Sequence, residues 1–170
     1  MTLHKLHVPL EPDQSAVIPY RVRDGQVEVL LVTSRGKGRW IVPKGSIEED
    51  LDSHESAAKE ALEEAGVKGR VSPVSLGCYR HGRSKKSPIV EVFLMRVEHE
   101  LKSWPEEDER KRRWIPLDEA YQYVQEPGLR SILDEAVTLI PSPNGAASAP
   151  VAVHHPALPA SSTTAPGAPD

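Results

Sequence analysis

Trp40–Val67 reads WIVPKGSIEEDLDSHESAAKEALEEAGV, and this stretch decides the fold. Its second half predicts a short helix with two chemically opposed faces. Ala57, Ala58, Ala61, Leu62 and Ala65 recur at three- and four-residue spacings, which gives a narrow apolar stripe suited to close packing. Glu60, Glu63 and Glu64 stand at i, i+3 and i+4, so their carboxylates share one neighbourhood on the other face. Asp52 is placed to cap the start, with Glu55 three residues on to complete a capping box. Gly66 follows the last periodic residue, where a left-handed stop costs glycine least.

The acids sit at the wrong end of this helix. Negative charge near a C-terminus opposes the helix dipole, and like charges at i, i+4 repel, each by a few tenths of a kcal/mol. Such a conflict marks a candidate site, because a bound cation would offset it. Clustered carboxylates suit Mg²⁺ or Mn²⁺, which take oxygen ligands and keep several waters. Read alone, the same acids also fit an ordinary solvated helix face.

The spacing of the whole stretch separates the two readings. From Gly45 to Val67 the chain resembles the Nudix box, G-x5-E-x7-R-E-U-x-E-E-x-G-U, where U is a bulky apolar residue. Gly45, Glu60, Glu63, Glu64, Gly66 and Val67 fall on its fixed positions, and Ala61 is a small occupant of an apolar one. Two positions depart, Leu51 in place of the first Glu and Lys59 in place of Arg. Lysine lacks the bidentate fork of arginine, so orientation through Lys59 is expected to be looser. Glu55, four residues before Lys59, offers a replacement ion pair.

Before this stretch, Ser15–Val22 and Gln26–Thr33 read as strands rich in Val, Ile, Leu and Tyr, joined at the turn signal Asp24-Gly25. The next segment, SRGKGRW, mixes Arg35, Lys37 and Arg39 with Gly36 and Gly38. It reads equally as a phosphate-facing loop or a solvated turn. After it, Gly69–Arg80 and Ile89–Val97 are strand-like, and between them RHGRSKK carries Lys85 and Lys86 in an exposed turn. An acidic loop, Glu106–Glu109, leads into RKRRW, a short strand ending at Pro116. Asp118-Glu119 opens a helix through Tyr123, and Leu129–Leu139 has the spacing of a terminal helix.

Composition bounds the rest. The 170 residues, 38% hydrophobic and 27% charged, predict one small globular domain with extras. The residue pattern places a flexible N-terminus at 1–12, the domain at 13–140 and a disordered Pro/Ala-rich tail at 141–170, where little apolar surface offsets ordering entropy. His154-His155 in that tail is a weak ligand pair. A net charge of −4 argues against bulk affinity for nucleic acid or anionic membrane. One cysteine, Cys78, excludes an intrachain disulfide, and its strand-like setting predicts a small core residue. No apolar run is long enough to span a membrane and the N-terminus lacks a signal-like apolar segment, so the expected setting is cytoplasmic.

The resemblance implies an α/β Nudix fold, an α/β/α sandwich with a mixed sheet, and hydrolysis of a phosphoanhydride with Mg²⁺, or Mn²⁺ as substitute. It implies Glu60 and Glu64 as metal ligands, Glu63 as a third ligand or water activator, Lys59 as a helper in catalysis, and the carbonyls of Lys44 or Gly45 as further ligands. A closer resemblance is to the diphosphoinositol polyphosphate phosphohydrolase group, which also cleaves diadenosine polyphosphates. It is carried by LLVTSRGKGRWIVP, EEAGVKG and LKSWPEEDERKRRW. The N-terminal strand begins DQSA without that group's bases, and Glu126 falls near one of its basic positions. Ser34, Arg35, Lys37, Arg39, Gly45, Lys85, Lys86 and Arg110 are the candidates for substrate contact. A nucleotide-binding module of the same fold, or a tail that recruits a partner, are the other function classes. The retained box glutamates speak against the first, and the second has no motif to carry it.

Overall fold

In the computed structural model, residues 11–141 are described. The expected N-terminal flexibility falls largely outside them, and the expected tail with His154-His155 almost wholly so. Seven strands and three helices follow one another as β1 (Gln14–Arg23), β2 (Gln26–Thr33), β3 (Trp40–Ile41), β4 (Lys44–Ser46), α1 (Ser53–Ala65), β5 (Val67–Arg80), β6 (Ile89–Glu100), β7 (Arg112–Pro116), α2 (Leu117–Tyr123) and α3 (Pro127–Leu139). One mixed sheet runs β3-β2-β1-β6-β5, with β4 paired to β1 and β7 to β2. The β1–β6 pair is parallel, and the remaining pairs are antiparallel.

The apolar runs of β1 and β2 are continuous because both faces of the sheet are covered. Ala16, Ile18, Val29 and Leu31 pack on one face with Leu117 and Ala120 of α2 and Leu129, Ile132, Leu133 and Ala136 of α3. Val17, Leu30 and Val32 point the other way, onto Ala57, Ala61 and Ala65 of α1 with Phe93 and Met95 of β6. Small alanines let α1 lie close to the sheet, and that closeness brings its carboxylates down to the strand ends. The expected α/β/α sandwich is therefore present, with α1 on one face of the sheet and α2 and α3 on the other.

Several local expectations shift. The hairpin turn forms with Asp24 and Gly25 both at positive φ, as type I′ geometry requires. The β5 strand starts at Val67, directly after the Gly66 stop, and β6 continues to Glu100. Cys78 is exposed, which corrects its reading as a core residue. Irregularities in the β5–β6 register between Val71 and Ser75, and again between Ser75 and Gly77, disturb the alternation along β5. Tyr79 rather than Cys78 then faces the core.

Ile140 is the last core residue of the described chain. A chain cut after Pro141 is therefore expected to keep its melting temperature within a few degrees and its turnover nearly unchanged. A large loss of either on truncation would give residues 142–170 a part in the domain.

Candidate active site

The site is built where β4 meets α1. Residues 44–46 pair with β1 in the register Ser15↔Gly45, which fixes Gly45 beneath the helix. A Cβ added to Gly45 would collide with the Glu60 carboxylate, so glycine here lets that carboxylate lie against the strand backbone. Glu64, one turn further along α1, is only 3% exposed. It accepts a hydrogen bond from the Lys44 backbone N–H at 3.1 Å and forms an ion pair with Arg110. Glu63 lies 3.6 Å from Lys59 Nζ, and Lys59 also pairs with Glu48. The partner expected for Lys59 was Glu55, and this is corrected. Glu55 instead accepts from the Asp52 N–H at 3.0 Å in the capping box, leaving Lys59 to an acid from the preceding loop.

Burial sets the electrostatics. Desolvation pushes the Glu64 carboxyl up to about 7, against the opposing pull of Arg110 and the Lys44 N–H. The Glu60 carboxyl is raised for the same first reason, and then by the neighbouring charges of Glu63 and Glu106. Burial lowers Lys44, with Glu64 acting in the opposite sense. Lys59 is raised, chiefly by its hydrogen bond to Glu48. Burial, more than neighbouring charge, thus favours the neutral form of the Glu60 and Glu64 carboxyls, and perturbed acids gathered in one place mark a candidate functional site.

The loop of residues 101–111 completes the site, and sequence reasoning missed its part. A helix end leaves carbonyls without intrahelical partners. Here the Glu106 N–H donates to Glu63 O at 3.0 Å, the Leu101 N–H to Gly66 O at 2.7 Å, and Arg112 Nη1 to Ala65 O at 2.8 Å. Arg112 also donates to Leu101 O at 2.7 Å and stacks 3.8 Å above the Trp104 ring. A fixed cation at the helix C-terminus offsets the dipole conflict that the glutamates create. The run RKRRW carried this signal, but its spacing alone does not separate buried arginines from solvated ones.

Arg110 changes role. A candidate for substrate contact by sequence, it is buried to 8% side-chain exposure and held by Glu64, by Glu106 at 2.5 Å and by Thr33 O at 2.9 Å. It faces the Glu64 and Glu106 carboxylates rather than open solvent. Arg35 is likewise engaged, with Glu106 at 2.5 Å and Glu109 at 2.7 Å. Ser34 Oγ accepts the Arg39 N–H at 3.0 Å and so shapes the loop. Lys37 and Arg39 are exposed and make no ion pair among the described residues, and with Trp40 they line a cleft of about 270 Å³. A broader, more open hollow of about 620 Å³ shares Ser34 and Trp40 and runs toward Glu107–Lys111. Lys85 and Lys86 are exposed in the β5–β6 turn and line neither space.

Among the described residues, no three His, Cys, Asp or Glu side chains already converge as a cage for a metal. Glu64 is tied to Arg110 and Lys44, Glu63 leans to Lys59, and Glu60 rests on Gly45. The donor chemistry nevertheless fits a hard divalent cation: carboxylates only, mutually repelling, with one of them seated against a glycine backbone.

This combination of helix, strand and glycine agrees with three comparisons. The sequence pattern of the NUDIX domain matches residues 12–136. Nudix hydrolase 13, mitochondrial, of Arabidopsis thaliana is 34% identical over 144 residues, covering 71% of each chain. Nudix hydrolase 21, chloroplastic, of the same plant is 35% identical over 124 residues, and the alignment spans 62% of that protein's length. Diphosphoinositol polyphosphate phosphohydrolase 3-alpha of Mus musculus is 37% identical over 101 residues, 58% of this chain and 60% of that one. In fold, a C. elegans Ap4A hydrolase in a binary complex superposes with a TM-score of 0.64 at 19% identity, covering 76% of this chain and 97% of that one. With its box glutamates gathered on α1 and its pattern matched over residues 12–136, the chain belongs to the Nudix hydrolase family.

Proposed function

We propose that this protein is a Mg²⁺-dependent pyrophosphohydrolase that cleaves a diphosphate or polyphosphate linkage in dinucleoside polyphosphates or diphosphoinositol polyphosphates. The observation that carries the reading is the adjacency of two features. Lys44 lies within charge reach of Glu64 and Glu60 on α1 and of Glu126, and Glu126 lines a cleft whose rim bears Lys37 and Arg39. The names of the mouse relative and of the C. elegans structure point to the same two substrate classes.

Nudix hydrolases generally use divalent metal cations. Here Glu60, Glu63 and Glu64, with the carbonyls of Lys44 or Gly45, would hold Mg²⁺. Bound there, such an ion neutralises charge on the phosphoryl oxygens and acidifies water. The chain's own residues divide the remaining work. Arg110 and the Lys44 N–H hold Glu64 in one place and favour its charged form against burial, which suits it to binding a cation. That leaves Glu60 or Glu63 to take the proton of the attacking water. Lys59 bridges Glu48 and Glu63, and so orients Glu63 from the solvent side. Lys37 and Arg39 meet phosphates further along the chain of the substrate.

The test is mononucleotide or phosphate release from a panel of dinucleoside polyphosphates, nucleotide sugars and inositol pyrophosphates, with and without Mg²⁺. Release confined to nucleotide sugars would overturn the substrate class, and release unaffected by excess chelator would overturn the metal. A second measurement concerns the loop. Arg39→Ala is expected to lose kcat/KM progressively from diadenosine tetra- to penta- to hexaphosphate, with the loss shrinking as salt rises. Arg35→Ala, which removes the ion pair of Glu109 and one of the two partners of Glu106, is expected to lose the same factor on all three. Equal losses for Arg39→Ala would leave its loop a structural role only.

A further inference from the structure

The cleft beside the carboxylates has two unlike walls. One carries Lys37 and Arg39 from the loop after β2, and the other carries Gln125 and Glu126 from the link just before α3, with His81 from the β5–β6 turn. Glu126 Oε1 lies 3.6 Å from His81 Nδ1, beyond hydrogen-bond reach, and His81 Nδ1 is buried without a hydrogen-bond partner. Burial lowers His81 first, and the Lys44 and Arg39 charges add to this against Glu126, so the ring gives Glu126 no firm counter-charge at neutral pH. Lys44 reaches Glu126 through charge alone, and among the described residues no ion pair to Glu126 closer than the His81 contact forms. An ionised carboxylate with open lone pairs accepts hydrogen bonds and repels phosphate. It is the wrong group for a ligand whose hydroxyls are all esterified to phosphate. It is the right one for amino, ring N–H or ribose hydroxyl donors, and Trp40 supplies a flat apolar surface in the same space.

We infer that Glu126 makes this cleft a reader of the nucleoside end of a substrate, with the polyphosphate carried out along Lys37 and Arg39. The assignment deepens the proposed function and rests on it for the position of the scissile linkage. It narrows the two substrate classes to the nucleoside-bearing one. Glu126 is thereby a specificity-determining residue, and Gln125 beside it adds a donor and an acceptor for the same group.

Binding, rather than turnover, separates this inference from the function on which it rests. Calorimetric titration of the whole chain with AMP and with inorganic tripolyphosphate, each with Mg²⁺, compares wild type with Glu126→Gln and Glu126→Asp. The carboxamide keeps shape and removes charge, and the shorter acid keeps charge and withdraws it. AMP is expected to bind Glu126→Gln about tenfold more weakly, the scale of one hydrogen bond to a charged group. Tripolyphosphate is expected to bind that variant as tightly as wild type or more so. Glu126→Asp retains the repulsion, so it should weaken AMP without gaining tripolyphosphate. Equal weakening of both ligands, unchanged AMP affinity, or no AMP binding by wild type overturns the inference. Wild type that binds AMP in this charge-dependent way but hydrolyses no member of the panel sinks the proposed function and leaves the nucleoside site standing.

Discussion

Glu64→Gln is expected to lower turnover by at least about a hundredfold while the melting temperature stays near that of wild type. Loss of an outer partner of a metal ligand commonly costs ten- to a hundredfold, and Glu64 is assigned as a direct ligand, so its loss should cost no less. Stability should largely survive because the carboxamide oxygen still accepts the Lys44 N–H, and Arg110, which then faces the amide N–H₂ and loses this acceptor, keeps Glu106 and Thr33 O. Removing a carboxylate that burial already pushes up to about 7 also relieves a desolvation penalty. The measurement is steady-state hydrolysis across a Mg²⁺ titration, alongside a thermal scan with and without the ion. Wild type should gain thermal stability from Mg²⁺ because the ion binds the folded state, and the variant should gain much less. Turnover within a few-fold of wild type at every Mg²⁺ concentration would take Glu64 out of the metal site.

The element pattern was readable because local and global signals agree in this chain. The glycine stop at Gly66, the capping pair Asp52 and Glu55, and the continuous apolar runs of β1 and β2 each point to what formed. What could not be read came from contacts between distant segments. Helical spacing groups Glu64 with Glu60 and Glu63 on one acidic side. It says nothing of the loop of residues 101–111, which lays Arg110 over Glu64 and so buries an acid that looks solvated in sequence. The i, i+4 rule offered Glu55 to Lys59, but a capping hydrogen bond holds Glu55 and leaves Lys59 to Glu48, eleven residues away. A strand-like setting suggested a core place for Cys78, but register shifts in β5 leave it exposed and Tyr79 inside. Arg35 and Arg39 are alike in sequence, and only the acidic loop distinguishes them by engaging the first.

Gly66→Ala is expected to destabilise the domain by about 3 kcal/mol and to reduce activity beyond what the lost folded fraction explains. The residue stands at φ 63°, where a side chain costs roughly 1–2 kcal/mol. An added Cβ would also meet Arg112 Nη1 and both Cβ and Cγ of Trp104 at 2.8 Å. These are the groups that close the C-terminus of α1, so one of them must give way. If Arg112 moves, the carbonyls of Ala65 and Leu101 lose their donor, at roughly 1–3 kcal/mol for each one left buried and unpaired. The same loop carries Glu106 and Arg110, so a shift there reaches Glu64 without any change to the glutamates themselves. Gly66→Asn separates the two causes, because asparagine tolerates the left-handed backbone but brings the same Cβ. Denaturant unfolding of both variants decides between them. Equal losses assign the cost to the clash with Arg112 and Trp104, and a loss confined largely to alanine assigns it to the backbone. Stability of Gly66→Ala within about 0.5 kcal/mol of wild type, the scale of ordinary surface changes, would mean that the loop is not braced against the helix end.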